Sequence, residues 1–376
     1  MLFRDIVGQE AIKEELFRGH KKGRIPHCQL FYGPKGCGSL PLAIAYARMV
    51  LCGEEVLSNQ ACNLRVSELK HPDLHFIFPV ANTQEILTKA ISANFLPQWR
   101  AFLHSNSYAS LYDWFLSIGI ENKQGKIGKD EVSDLVKKMS LKSYEGGWKV
   151  AIIWMAERMN LSATNKLLKL IEEPPKKTLF LFVSEDIRSL TDTLISRCQK
   201  IELKPLSSKK MSSALVQKGY SKEEASSASI KSAGSFNEAL KIVSNKEDEK
   251  MFEEWFLSWV RSAFAVRKNK EAVLDLVAWS KNISKTGRET QKSFLSYSLD
   301  LFRQSLLKNY FLDELTTYSP STDFNFESFS NFISGNNIDA ISVELETAYS
   351  NIQSNGNSNM IFMDLSLKLT RLLHKK

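Results

Sequence analysis

The stretch that decides the fold of this chain is Cys28-Gln29-Leu30-Phe31-Tyr32-Gly33-Pro34-Lys35-Gly36-Cys37-Gly38-Ser39-Leu40. Its first five residues form a mostly apolar run, which is typical of a buried strand, and Gly33-Pro34 opens a glycine-rich turn. Apolar residues then recur at helical spacing from 40 to 51. A strand, a glycine loop and a helix in this order predict a phosphate-loop unit.

Downstream of that unit, short apolar runs alternate with helical patterns. The predicted strands are 76–80, 150–154, 178–183 and 200–203, and a predicted helix at 162–173 is ended by Pro174-Pro175. Residues 94–118 are rich in aromatic side chains, which predicts packed helices without assigning them any chemistry. Strands that alternate with helices predict an α/β fold with a parallel sheet over residues 1–205.

The remainder of the chain shows helical patterns only and predicts two further domains. Residues 206–245 contain short helical patterns broken at Gly219 and Gly234, which indicates a small helical domain. Residues 246–376 carry apolar side chains at helical spacing, which indicates an all-helical bundle. Three domains agree with a length of 376 residues, which is too long for one ordinary core.

Composition limits the classes of function. Hydrophobic residues make up 43% and charged residues 24% of the chain, which is typical of soluble globular proteins. No apolar run reaches the length of a membrane span, and the N-terminus is charged where a signal peptide is apolar. The net charge of +8 permits contact with an acidic partner such as DNA. Five scattered cysteines predict no disulfide framework and favour a cytoplasmic location.

Two cysteines and two histidines raise the question of a metal site. Cys52 and Cys62 precede His71 and His75, but structural zinc sites prefer two closely spaced ligand pairs. Pro72 argues against the two histidines sharing one helical face. No metal ligand is therefore predicted, and zinc is not expected.

The glycine loop has the spacing of a Walker A motif but lacks its reactive side chains. The residues placed to cradle a phosphate are Gly33, Gly36, Gly38 and Ser39. The motif needs a Lys to reach the β- and γ-phosphates and a Ser or Thr hydroxyl to bind Mg²⁺. Those two positions hold Ser39 and Leu40, so the charge and the metal ligand are both missing. The backbone amides remain, but a degenerate, empty loop is predicted.

The strand that should end in a Walker B acid also lacks it. It ends in Trp154-Met155-Ala156-Glu157, and Glu157 comes three residues too late to organise Mg²⁺. An enzymatic alternative remains open, in which Lys35 and Glu157 serve an unorthodox ATPase site.

Unlike the degenerate loop, the tripeptide Ser196-Arg197-Cys198 keeps a side chain that can act on a nucleotide, the arginine at position 197. An Arg at the edge of an α/β sheet can be offered to a γ-phosphate bound by a neighbouring subunit, as an arginine finger. The alternative is a surface arginine in a salt bridge, and the tripeptide alone favours that alternative.

Several motifs together resemble one family. They are Phe3-Arg4-Asp5-Ile6-Val7-Gly8-Gln9-Glu10, the stretch His27 to Gly36, Asn165-Lys166-Leu167-Leu168-Lys169-Leu170-Ile171-Glu172-Glu173-Pro174-Pro175, and Ser196-Arg197-Cys198. This order resembles the AAA+ clamp-loader subunits of bacterial DNA polymerase III, gamma/tau and delta-prime, over the first 205 residues. The degenerate loop resembles the delta-prime branch.

The resemblance implies an AAA+ RecA-like base, a helical lid at 206–245 and a helical collar at 246–376. It implies that Arg197 acts in trans on an adjacent motor subunit, and that a nucleotide-sensing Arg of the lid is replaced by Asn237. The implied partners are the gamma/tau motor and delta subunits, with the sliding clamp and primed DNA reached through the assembly. ATP and Mg²⁺ would be bound by the partners, with no cofactor in this chain. The alternatives are a gamma/tau-type ATPase and a purely structural scaffold.

Overall fold

The chain forms two compact units, Met1–Ser244 and Asn245–Lys376. The structure is a computed structural model that describes residues 1–54, 59–83, 86–120, 123–145, 147–244, 246–312, 315–316, 318, 320 and 322–374. The predicted domain boundary at residue 245 lies outside the described residues.

The first unit contains a five-stranded parallel sheet. Its strands are β1 Cys28–Tyr32, β2 Leu74–Ile77, β3 Lys149–Trp154, β4 Thr178–Ser184 and β5 Gln199–Glu202, in the spatial order β2-β3-β4-β1-β5. The predicted parallel α/β sheet is confirmed. The strand expected at 76–80 instead ends at Ile77, since Pro79 has no N–H to donate to a ladder.

Helices surround this sheet and continue beyond it in the same unit. They are α1 Glu10–Lys21, α2 Ser39–Cys52, α3 Gln60–Ser67, α4 Leu96–Ser105, α5 Leu111–Ser117, α6 Lys129–Ser140, α7 Leu161–Glu172, α8 Asp192–Ile195, α9 Ser208–Gln217, α10 Lys222–Lys231 and α11 Phe236–Ser244. We call α9–α11 the lid helices.

Successive strand residues face opposite sides of the sheet, and each side is covered by helices. Leu30 of β1 packs in one apolar cluster with Leu167 of α7. Its neighbour Phe31 packs in the other cluster with Ile44 of α2 and Trp99 of α4. The middle strands are therefore buried on both faces, which explains their nearly continuous apolar sequence.

The aromatic residues of α4 and α5 form the densest part of this core. Trp99 stacks on Phe78 at a ring-centroid distance of 4.1 Å and meets Trp114 edge-on at 5.1 Å. The indole N–H of Trp114 donates to the Pro79 carbonyl at 2.9 Å. The prediction of packed helices over 94–118 is confirmed.

The cysteine prediction needs a correction. Cys52 at the end of α2 and Cys62 in α3 form a disulfide, with their Cα atoms 5.7 Å apart. Helix α3 packs against α2, which brings together two residues whose separation in sequence suggested no pairing. The other three cysteines are buried as free thiols.

The second unit is a helical bundle. Its helices are α12 Lys246–Ala265, α13 Ala272–Ile283, α14 Arg288–Asn309, α15 Phe326–Ser330, α16 Ile338–Gln353 and α17 Ser358–Leu372. Trp259 and Trp279 stack with centroids 5.0 Å apart, and the Trp259 indole N–H donates to Ser366 Oγ at 2.8 Å. No helix in the described part of the chain is long and apolar enough to cross a membrane.

A buried carboxyl makes the stability of the first unit depend on pH. Glu131 of α6 is 4% exposed, and its carboxylate accepts the Ser92 N–H at 2.8 Å. Burial raises the pKa of Glu131 from 4.5 to about 7. The folded chain therefore holds this proton more tightly than the unfolded chain, so stability falls as the pH rises from about 4.5 to about 7.

We expect Glu131→Gln to remove this dependence, because the amide oxygen still accepts the Ser92 N–H without carrying a charge. The free energy of unfolding should rise by up to about 3 kcal/mol at pH 8 and change little at pH 4.5. Denaturant unfolding at both pH values measures this free energy. The control is Asp130→Asn, which changes the exposed carboxylate next to Glu131. A loss of stability of Glu131→Gln at pH 8 would contradict the raised pKa of Glu131.

Candidate functional site

The glycine loop connects β1 to α2 as the sequence predicts. Gly36 and Gly38 have positive φ angles of 72° and 95°, which non-glycine residues rarely adopt. Gly38 caps α2 and its carbonyl accepts the Leu42 N–H at 3.0 Å. The four residues predicted to cradle a phosphate (Gly33, Gly36, Gly38 and Ser39) thus lie together at the N-terminus of one helix.

Two side chains of this loop, Cys37 and Leu40, face the core. Leu40, at the position of the expected metal-binding hydroxyl, is 3% exposed and belongs to the apolar cluster under α2. Cys37 is fully buried, and burial raises the pKa of its thiol to about 11. Hydrogen bonds from Ser39 act to lower this pKa, but their effect is smaller. The thiol is therefore neutral at physiological pH, which argues against a nucleophile here.

The lid helices lie directly on the loop. The Phe236 N–H donates to the Gly36 carbonyl at 3.1 Å. A Cβ atom on Gly36 would come within 2.2 Å of Ser235 Oγ, so the two backbones approach as closely as glycine permits. From the N-terminal side, Gln9 Nε2 donates to the carbonyls of Cys37 at 3.2 Å and Lys204 at 2.8 Å.

Tyr108 fills the space between the loop, the N-terminal segment and the lid. A Cβ atom on Gly38 would lie 3.0 Å from the Tyr108 ring. The Tyr108 hydroxyl accepts the Val7 N–H at 2.8 Å, and its ring meets Phe236 edge-on at 4.9 Å. Sequence reasoning treated Tyr108 as one aromatic among many, since nothing in its local pattern marks a contact with the distant loop.

A polar network joins α5 to α11 beside Tyr108. Asn237, at the position where the resemblance implies a nucleotide-sensing Arg, is 3% exposed and donates to Asp113 Oδ2 at 2.9 Å. Asn106 Nδ2 donates to Asn237 Oδ1 at 2.7 Å, and Lys241 Nζ lies 3.0 Å from Asp113 Oδ1. Burial alone would raise the pKa of Asp113, but Lys241 and the hydrogen bonds lower it, so Asp113 stays ionised.

A cavity of about 600 Å³ lies at the carboxyl ends of the strands, with Lys35, Glu157, Arg158 and Glu185 among its lining residues. The two residues of the enzymatic alternative, Lys35 and Glu157, thus share this cavity. Glu157 Oε1 accepts the Glu185 N–H at 3.0 Å. Burial raises the pKa of Glu185 to about 7. The charge of Lys35 acts to lower this pKa, and the charge of Glu157 acts to raise it.

Arg197 lies on a separate surface, just after α8. Its side chain is 37% exposed; Nη2 lies 2.6 Å from Glu172 Oε1, and Nη1 donates to the Thr193 carbonyl at 2.9 Å. Cys198 lies 2.8 Å, sulfur to sulfur, from Cys28 at the start of β1, and this contact together with burial raises the pKa of the Cys28 thiol. Ser196 Oγ donates to the Thr193 carbonyl at 3.2 Å. The salt bridge considered from the sequence is present, and the guanidinium still reaches solvent.

Among the described residues, one group has the composition of a metal site. Donor atoms of Cys62, His71 and Glu145 lie within 4.8 Å of one another. The Cys62 sulfur is bonded to Cys52, and Glu145 pairs with His71 at 3.3 Å and with Arg65. These atoms therefore already have partners within the protein.

His75 lies outside that group, although the sequence placed it near the two cysteines. Burial lowers the pKa of its imidazole to about 4, so His75 is neutral at physiological pH.

Known proteins resemble the first unit. A family model described as DNA polymerase III, delta subunit, matches residues 8–207. The DNA polymerase III subunit delta' of Bacillus subtilis (strain 168) is 27% identical over 217 residues, covering 57% of this chain and 53% of that protein. The tau subunit of the same organism is 26% identical over 206 residues, covering 55% and 30% respectively.

A solved structure of a DNA polymerase III gamma subunit-related protein from Thermotoga maritima aligns over 97% of this chain and 99% of its own, with 13% identity and a TM-score of 0.37. The chain spans about half the length of the delta' relative and less than a third of the tau relative.

A parallel sheet with a glycine loop after its first strand defines an α/β protein of the phosphate-loop type, as expected from the sequence. The match over residues 8–207 covers more than half of the chain and includes both the loop and the Arg197 segment. The chain therefore belongs to the DNA polymerase III delta-subunit family of clamp-loader proteins, and the family resemblance is confirmed.

The contact between Gly36 and Ser235 predicts the effect of one methyl group. Gly36→Ala should destabilise the first unit and loosen α11, because the new Cβ meets Ser235 and the positive φ is strained. Gly119→Ala is the matched control, since Gly119 has a φ of 67° and open space around its Cβ. The strain should cost about 1–2 kcal/mol in both variants, with about 1–3 kcal/mol more in Gly36→Ala.

Denaturant unfolding measures the two costs, and hydrogen exchange at the Phe236 amide reports on the lid. If Gly36→Ala and Gly119→Ala lose equal stability, and hydrogen exchange at the Phe236 amide is unchanged in Gly36→Ala, the close contact between loop and lid is contradicted.

Proposed function

We propose that this chain is a cytoplasmic, non-hydrolysing subunit of a clamp loader, of the delta-prime type. It would assemble with gamma/tau motor and delta subunits and help to load the sliding clamp on primed DNA. Its role would be that of a fixed partner: it offers Arg197 to a nucleotide bound by a neighbouring subunit. The family membership and the names of the delta' and tau relatives support the assignment to a clamp loader.

The observation that carries the non-hydrolysing role is Leu40. An ATPase of this type needs a hydroxyl at that position to hold Mg²⁺, and Leu40 is an alkyl side chain 3% exposed inside the core. The preceding position, which needs a Lys, is Ser39. Tyr108 and Phe236 further reduce the space beside the loop.

The position of Arg197 supports a role in trans. Its guanidinium is partly exposed at the sheet edge, while its backbone is fixed by Cys198 against Cys28 in the core. An arginine held in this way can meet the γ-phosphate of a neighbouring site without a large rearrangement, and it would stabilise the negative charge that develops there.

A specific observation favours one alternative, an ATPase with an unorthodox site. Lys35 and Glu157 line one cavity, and Glu157 Oε2 is buried without a hydrogen-bond partner among the described residues. ATP hydrolysis by the isolated chain that is lost in Glu157→Gln would establish this alternative. A purely structural scaffold would instead be indifferent to both Glu157 and Arg197. Direct DNA contact through the net charge of +8 is compatible with the main proposal and would weaken steeply with salt.

We expect Arg197→Ala to leave assembly intact and to lower ATP turnover by the reconstituted clamp loader with clamp and primed DNA. Arginine fingers contribute about 10³ to 10⁵ in rate at the site they serve, so turnover at the facing site should be nearly abolished. The control is Arg188→Ala, which removes a 90% exposed arginine from another surface segment of the same unit.

The measurement is steady-state ATP turnover, with assembly checked by size-exclusion chromatography. Unchanged turnover in an intact Arg197→Ala assembly would make the chain a scaffold. Failure of the unmodified chain to assemble with motor and delta subunits would overturn the clamp-loader assignment itself.

A further inference from the structure

We propose that Glu172 is a positioning residue for Arg197: its carboxylate orients the guanidinium toward the nucleotide of the neighbouring subunit. This inference rests on the proposed function of Arg197 in trans. The two side chains come from different elements, since Glu172 is the last residue of α7 and Arg197 follows α8. Their contact at 2.6 Å joins these elements at the surface.

Both sides of this contact have a fixed backbone. Helix α7 is anchored by Leu167 and by Ile171, the residue directly before Glu172, and both are buried in the core. On the other side, the Arg197 N–H donates to the Leu194 carbonyl at 3.1 Å, and Cys198 packs on Cys28. The remaining freedom lies in the long Arg197 side chain, and Glu172 restricts that freedom.

The contacts leave the guanidinium able to bind a further anion. Arginine has five N–H donors in a fixed plane. The Thr193 carbonyl and the Glu172 carboxylate each take one of them through Nη1 and Nη2. An incoming phosphate can therefore bind to the remaining donors while the two intramolecular contacts hold the plane of the group.

The carboxylate of Glu172 contributes little to the folding stability of the first unit, so stability does not explain its presence. Glu172 is 49% exposed and Arg197 is 37% exposed, and ion pairs this open to water contribute little to folding. A negative charge in the last turn of a helix is moreover unfavourable, because the carboxyl end of the helix dipole is itself negative. Orientation matters far more for catalysis, since a displacement of about 1 Å can cost about 100-fold in rate.

The test compares four variants in the reconstituted assembly with clamp and primed DNA: Glu172→Ala, Glu172→Gln, Arg197→Ala and the double variant Glu172→Ala/Arg197→Ala. Glu172→Ala should lower kcat by at least roughly half of the loss that Arg197→Ala causes, with little change in KM for ATP. Glu172→Gln should recover most of the activity, because its amide oxygen still accepts the Nη2 hydrogen bond. The double variant should be no slower than Arg197→Ala, since both changes remove one function.

The matched control is Glu173→Ala, the adjacent exposed carboxylate, which should leave kcat unchanged. The thermal midpoint of Glu172→Ala should equal or exceed that of the unmodified chain, as the helix dipole predicts. If Arg197→Ala lowers kcat but Glu172→Ala does not, the positioning role is overturned while the proposed function stands. The same holds if Glu172→Ala and Glu173→Ala lower kcat equally. If Arg197→Ala has no effect, the proposed function itself fails.

Discussion

The first unit depends on the direct contact between the glycine loop and the lid helices. The Phe236 N–H binds the Gly36 carbonyl, and Gly36 has no room for a side chain against Ser235. Tyr108 packs against Gly38 and is held by Val7. Ser235, Phe236 and Tyr108 therefore lie in direct contact with the loop, and the base and the lid helices form one compact unit.

This closure agrees with a fixed rather than a cycling role. In the proposed function, nucleotide is bound and hydrolysed by neighbouring subunits, and this chain contributes the surface that carries Arg197. The Asp113 network reinforces the closure, because the ionised Asp113 carboxylate of α5 is paired with Lys241 and Asn237 of α11. An arginine is most useful to a neighbour when the backbone behind it stays in place, as Cys198 against Cys28 ensures.

The sequence predicts the sheet, the loop and the Ser196-Arg197-Cys198 segment, because each is a continuous local pattern. Leu40 could also be recognised as a missing ligand, since the motif fixes its position. The contacts of Tyr108 with Val7 and of Asp113 with Lys241 could not be predicted, because they join residues 100 or more positions apart that carry no shared local signal. The Cys52–Cys62 disulfide was missed for a related reason: the packing of α3 on α2 decides it.

The central claim, that the loop is closed to nucleotide, is tested most directly by ATP binding to the isolated chain. Isothermal titration calorimetry with ATP and Mg²⁺, beside a gamma/tau motor subunit as positive control, would measure it. The account predicts no saturable binding up to about 1 mM, the weak end of the affinity range. Stoichiometric binding in the micromolar range would contradict it, because the loop and the lid would then have to separate around a nucleotide.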